Sequence, residues 1–340
     1  VADRFRTAAG GEGCGRQAFE RRRSLRVSAG GDMSLNRSAH RILVTGVNGQ
    51  VGFELARTLQ GLGTVVALDR GALDLSNPDR IRSVVREIRP TLIVNPAAYT
   101  AVDKAEQERD LAMAINGVAP GVLAEEAGKL GAPLIHYSTD YVFDGTKNGE
   151  YVETDPTCPQ NVYGESKLAG EAAIAASGAA HLIFRTSWVY GARGRNFLLT
   201  MLRLGRDRDE LKVVSDQIGA PTWSNTIATL TAHVVAQSRG AADPAEWWAK
   251  RAGVYHLNAA GSTSWHGFAS AIFELAGQPN APRVLPIPAS DYPTPAKRPT
   301  NSRMSNDKLY EVFGVAAPDW REALRLCLAG GMLTTPGGAA

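Results

Sequence analysis

Cysteine is scarce in this chain. Cys14, Cys158 and Cys327 are the only three in 340 residues, and none forms a CxxC pair. This excludes a disulfide framework and favours a reducing, cytoplasmic setting. Long apolar runs are missing as well. The best stretch, residues 92–102, is interrupted by Asn95 and Pro96 and falls well short of the roughly 18 to 20 residues of a membrane span. No two of the six histidines lie within five residues of each other, which removes the common zinc spacings. Net charge is only +3, and the 32 residues before Met33 carry all of it: seven arginines, including Arg21, Arg22 and Arg23, against four acids. The other 308 residues are neutral overall, so the clustered positive charge behind non-specific nucleic-acid binding is absent from them.

What is present is the composition of a globular protein, 44% hydrophobic and 21% charged, long enough for one large domain or two modest ones. Residues 1–40 stand apart. They are rich in Gly, Ala, Arg and Ser, show no apolar period, and read as a disordered extension. Residues 24–35 lack the apolar core of a secretory signal. Met33 reads as the natural start, and deleting residues 1–32 is expected to leave activity and thermal stability unchanged. Residues 331–340 read as a flexible tail.

From Arg41 the character changes. The apolar strand Ile42-Leu43-Val44 is followed by the glycine turn Gly46-Val47-Asn48-Gly49-Gln50-Val51-Gly52 and then by a helix with Val51, Leu55, Leu59 and Leu62 on one face. Such a turn lets backbone amides approach a pyrophosphate, whose charge then sits at the positive helix end. A second strand, residues 65–68, ends in Asp69, seventeen residues beyond Gly52, where an acid commonly binds the adenosine ribose. Arg70 beside it suits the 2′-phosphate of NADP, so the pair leaves NADH and NADPH both open. Asp74 and Leu75 precede a helix that Asn77 caps, Pro78 opens and Ile81, Val84, Val85 and Ile88 face inward. The strand at residues 91–95 runs into Ala98-Tyr99-Thr100 at its carboxyl end. Residues 104–130 read as a helix broken near 117–120, and another strand follows at 133–137. The alternation predicts a Rossmann-type, doubly wound parallel α/β sheet.

That last strand leads to Ser138-Thr139-Asp140-Tyr141. A helix further on holds Tyr163 and Lys167, whose spacing of four puts them on one face. Reduction of a ketone by hydride leaves charge on oxygen that must be met by a proton. A phenol of pKa about 10 is poorly matched to neutral pH, and lowering it by about 3 units needs roughly 4 kcal/mol. One ammonium about 4 Å away supplies on the order of 4 kcal/mol at an effective dielectric near 20. Lys167 therefore suffices for Tyr163, and Thr139 or Ser138 adds a hydrogen bond to the carbonyl oxygen.

Together with residues 136–143, three further stretches, 184–191, 216–222 and 292–303, resemble the extended short-chain dehydrogenase/reductase family over residues 41–328. The last two point to a subgroup of nucleotide-sugar reductases. The resemblance implies reduction of the C4 ketone of dTDP-6-deoxy-L-lyxo-4-hexulose to dTDP-L-rhamnose by NADPH or NADH. It implies Tyr163 as proton donor, Lys167 as its electrostatic partner and nicotinamide-ribose ligand, and Thr139 as the third catalytic hydroxyl. Cofactor contacts would come from Gly46, Gly49, Gln50, Val51, Gly52, Asp69, Asp74, Leu75, Ala98, Tyr99 and Thr100. Thr139, Asp140 and Trp188 would hold substrate. Arg298 suits a substrate diphosphate or a surface salt bridge.

Some relatives bridge a dimer with magnesium through three glutamates. Only Glu54 matches here, and the other two positions are Asn225 and Arg321, which argues against that metal. The nucleotide domain is expected at 41–190, with strands returning to its sheet from about 211–260, and a smaller, discontinuous substrate domain at 191–330. The expected partner is a nucleotide-sugar, with no nucleic acid and no membrane, on a monomer or homodimer. Two alternatives remain: another nucleotide-sugar reductase or epimerase on this scaffold, and a non-catalytic regulatory subunit, against which the complete set Thr139, Tyr163 and Lys167 argues.

Overall fold

The computed structural model describes residues 40–330, so the expectations for the amino-terminal extension and for the tail at 331–340 lie outside the described residues. Strands β1 (Arg41–Val44), β2 (Thr64–Ala67), β3 (Leu92–Asn95), β4 (Leu134–Thr139) and β5 (His181–Thr186) join the strand Gly253–His256 in one sheet. Their spatial order is Gly253–His256, β5, β4, β3, β1, β2. Every pairing is parallel, with Val44 opposite both Ala67 and Val94, and Thr139 opposite Thr186.

Both faces of this sheet are covered, which explains why its strands are continuous apolar runs. Helix α1 (Gln50–Thr58) and the helix Ser224–Gly240 meet Ile42, Val44, Val94 and Ile135 on one face. On the other face Leu43, Ile93, Leu134 and Ile183 meet α2 (Pro78–Ile88) and the later helices of the nucleotide unit. This is the expected doubly wound arrangement. Helix α2 follows its sequence signals closely: Asn77 accepts from the Arg80 amide at 3.0 Å, Ile81, Val84 and Val85 are buried, and left-handed Arg89 ends it ahead of Pro90.

Residues 104–130 depart from expectation. They form α3 (Val102–Ala105), α4 (Arg109–Met113), a π-helical turn (Ala114–Val118) and α5 (Ala119–Lys129), so the chain is interrupted earlier than 117–120 as well as there. The wider π turn carries Asn116, whose side chain bonds back to the Tyr99 backbone. Helix α6 (Val162–Ala176) then packs beside it. A Cβ on Gly170 of α6 would lie 2.1 Å from the Asn116 carbonyl oxygen, so only glycine permits this approach.

Of the strands expected to return to the sheet, Gly253–His256 does so beside β5. The other, Glu210–Val214, pairs instead with Arg283–Ile287 in a separate parallel pair. A further core of Leu198, Leu202, Phe268, Ile272 and Leu324 joins the helices Phe197–Asp207, Trp265–Ala276 and Trp320–Ala329. Among the described residues no helix is long and apolar enough to cross a membrane.

Candidate active site

After β2 the chain crosses β1 to lay β3 on its other side, so the connections leaving β1 and β3 diverge and open a crevice at their carboxyl ends. A cavity of about 740 Å³ occupies this edge. At one end lies the glycine turn. Gly46 has φ +57°, and a Cβ there would sit 2.8 Å from Ala97 Cβ; a Cβ on Gly52 would sit 2.3 Å from the Gly46 oxygen. Gly49 caps α1 without a side chain, and Gly49, Gln50 and Val51 line the cavity, so the helix end keeps its donors for an anion.

Asp69 does not line this cavity. Its carboxylate accepts from the Ala72 amide at 3.0 Å and the Asn48 side chain at 3.3 Å, while Arg70, Asp74 and Leu75 face the space. Asp74 is held below the usual carboxylate range by the Ser76 amide and hydroxyl. Along the middle, Ala98, Tyr99 and Thr100 form one wall. Asn116 fixes it: Tyr99 N–H donates to Asn116 Oδ1 at 2.8 Å, and Asn116 Nδ2 donates to Tyr99 O and to Ser166 Oγ, both at 3.0 Å. Sequence reasoning missed Asn116, whose partners lie 17 and 50 residues away with no local pattern to mark them. The Tyr99 hydroxyl donates to Glu108 at 2.6 Å, and that bond pushes its phenol up to about 12.

At the far end, Asn161 caps α6 by accepting from the Gly164 amide at 2.8 Å, and α6 presents Tyr163 and Lys167 to the same cavity. Lys167 is 1% exposed. Its Nζ donates to Tyr137 O at 2.6 Å and lies 3.1 Å from His136 Nε2. Burial pulls Lys167 down to about 8, against the opposing charge of Glu171. Tyr163 moves the other way, pushed up to about 12 by burial, with the Thr139 hydroxyl favouring the phenolate and the Asp140 charge opposing it. The one-ammonium argument for a lowered phenol is therefore not what this arrangement displays: Lys167 turns to Tyr137 and His136.

Burial pushes Asp140 up to about 6, opposed by the nearby Ser302 and Thr139 hydroxyls, of which Thr139 donates to Oδ1 at 3.0 Å. Trp188 has φ +48° and stacks on Trp265 with ring centroids 3.6 Å apart. Arg298 pairs with Asp103 at 2.8 Å. None of Thr139, Asp140, Trp188 and Arg298 lines the main cavity. At the compared magnesium positions, Glu54 accepts from Asn225 at 3.1 Å and Arg321 pairs with Glu274. Among the described residues no three His, Cys, Asp or Glu side chains are grouped to hold a metal.

Residues 40–332 match the model of the RmlD substrate binding domain family. The chain is 53% identical over 297 residues to a dTDP-4-dehydrorhamnose reductase of Burkholderia thailandensis, covering 85% of this chain and 98% of that protein. The dTDP-4-dehydrorhamnose reductase of Escherichia coli is 46% identical over 295 residues, covering 84% and 96%. A Bacillus anthracis dTDP-4-dehydrorhamnose reductase solved with NADP superposes with a TM-score of 0.79 at 36% identity, covering 85% of this chain and 99% of that one.

Proposed function

The chain belongs to the RmlD substrate binding domain family, and from that premise we propose that it is a dTDP-4-dehydrorhamnose reductase. It reduces the C4 ketone of dTDP-6-deoxy-L-lyxo-4-hexulose to dTDP-L-rhamnose, the last step of dTDP-rhamnose synthesis. The observation that carries this reading is that Tyr163 and Lys167 line the same cavity as the glycine turn and the uncapped end of α1.

A bound nicotinamide nucleotide supplies the hydride. The residues present suit it: the amides at Gln50 and Val51 would hold the pyrophosphate, with the Gly49 amide tied to Gly46 O at 2.9 Å, and the wall at Ala98, Tyr99 and Thr100, pinned by Asn116, would lie along the dinucleotide. Lys167 would take the nicotinamide ribose. NADPH is the preferred donor in this reading, because Arg70 faces the cavity while Asp69 is engaged by Asn48 and Ala72. Tyr163 holds the proton that the substrate oxygen receives, and its raised pKa keeps it protonated at neutral pH until charge develops on that oxygen. Thr139 and Asp140 would position the sugar, Trp188 its far side, and Arg298 would exchange Asp103 for the diphosphate. Residues 41–190 serve as the nucleotide domain and 191–330 mainly as the substrate domain, in the cytoplasm.

The test is purified protein with the 4-keto sugar nucleotide and NADPH or NADH in turn, following loss of nicotinamide absorbance and identifying the sugar formed. dTDP-L-rhamnose, formed with NADPH, is the expected product. Absence of reduction with both cofactors would remove the reading.

A further inference from the structure

We infer that His136 is a positioning residue for Lys167: held by Asn95 in the tautomer protonated on Nε2, it presents a donor to Nζ and favours the amine over the ammonium. The inference rests on the reading of Lys167 as part of the reductase site.

In this arrangement the hydrogen bonds assign a direction to each proton. The Ala97 amide donates to Thr45 Oγ1 at 3.3 Å, and Thr45 gives its hydroxyl proton to Asn95 Oδ1 at 2.6 Å. With Oδ1 used in this way, Asn95 turns its amino group to His136 Nδ1 at 3.0 Å. Nδ1 therefore accepts. A neutral imidazole has a single ring proton, which is then on Nε2, and Nε2 faces Lys167 Nζ at 3.1 Å. Only a nitrogen with a lone pair accepts that bond. An amine has one; an ammonium has none. The amine also donates one N–H to Tyr137 O and keeps a second for the cavity that Lys167 lines. A protonated Nζ would set N–H against N–H, unless His136 carried its proton on Nδ1 and Asn95 turned its oxygen to meet it.

The relay is shielded, since Thr45, Asn95, His136 and Lys167 are each 1% exposed or less. The charged and titratable groups that flank it are few. Helix α6 contributes Tyr163 and Glu171, β5 contributes Arg185, which takes both Glu171 oxygens, and β1 and β3 contribute only uncharged Thr45 and Asn95. Burial acts in the same direction, lowering both His136 and Lys167. The result is a lysine whose charge changes near working pH, where a group can gain and lose a proton during turnover.

Asn95→Asp tests this at nearly constant shape. A carboxylate at that position holds the His136 proton on Nδ1, leaves Nε2 as an acceptor and so favours the ammonium. Lys167 is titrated by NMR on protein with labelled lysine side chains, without substrate or cofactor, its signal identified by loss in Lys167→Met. The Lys167 titration is expected to move up by about one pH unit or more in Asn95→Asp. In a His136→Gln background the same change should move it less than half as far, because the ring no longer relays the effect. An unmoved titration, or an equal movement without the ring, overturns the inference. Should Asn95→Asp fail to fold, His136→Gln alone decides: Lys167 moves up if the imidazole held it down and stays if it did not. The alkaline limb of kcat against pH should follow the NMR titration. These titrations need no turnover, so they stand apart from the assay of the 4-keto sugar nucleotide, which judges the reductase reading by itself.

Discussion

Two cations are buried between the sheet and α6, and the fold treats them oppositely. Arg185 on β5 meets Glu171 through two bonds, 3.0 and 2.6 Å, with both side chains about 5% exposed. Lys167, one turn before Glu171, faces only neutral partners, Tyr137 O and His136. A buried charge with a dedicated counter-ion stays charged and becomes architecture. A buried charge offered only neutral acceptors keeps the cost of desolvation and titrates within reach of physiological pH.

The sharpest way to break this comparison is to delete each cation's working partner or charge in turn. Lys167→Met should lower kcat by about 10³-fold, in the range of a lost group that assists proton transfer, with the fold retained by circular dichroism. Glu171→Gln should do the reverse. Arg185 would be left uncompensated, and stability should fall by about 3 to 5 kcal/mol in urea unfolding, while kcat per folded molecule changes much less.

Lys167→Met should also stabilise the protein. The folded Lys167 titrates at about 8 against an ordinary 10.5, so below pH 8 both states are protonated and the folded one carries the full cost of a buried ammonium. That cost disappears as pH rises from 8 to 10.5. The gain on substitution should be up to about 3 kcal/mol at pH 7 and vanish near pH 10.5, measured by unfolding across pH. Asp140 provides the acidic counterpart, with its folded pKa raised to about 6 from 3.8. Its penalty is absent below the lower value and full above the upper one, so Asp140→Asn should gain up to about 2 to 3 kcal/mol above pH 6 and nothing near pH 3. The smallest expected effect is that of EDTA, which should leave turnover unchanged; loss of activity with recovery on added magnesium would count against the present reading of Glu54, Asn225 and Arg321.

Much of the nucleotide unit was legible because its signals are local. Asn77, Pro78 and the spacing of Ile81, Val84 and Val85 specify α2, and the four-residue spacing of Tyr163 and Lys167 places both on one helical face. Residues 104–130 were read less well. Their sequence suggests a helix broken near 117–120, whereas the chain is also interrupted after Ala105 and the π turn at Ala114–Val118 is set by bonds between Asn116 and Tyr99 and Ser166, which local periodicity does not register. The same limit applies to the relay. His136 stands beside Tyr137, Ser138 and Thr139 in the sequence, but its chemistry depends on Asn95 and Lys167, 41 and 31 residues away. Pairing of Glu210–Val214 with Arg283–Ile287 is likewise a choice of partner that strand-like sequence does not reveal.

The contact of Gly170 with the Asn116 carbonyl has an evolutionary consequence. Because a single methyl group has no room there, the distance between the helix that bears Tyr163 and Lys167 and the turn that fixes Tyr99 is indexed by a hard stop. The spacing between the two halves of the chemistry has no gradual mutational path along which to drift. Position 170 should therefore tolerate almost nothing in a saturation screen for activity, although it does not line the cavity.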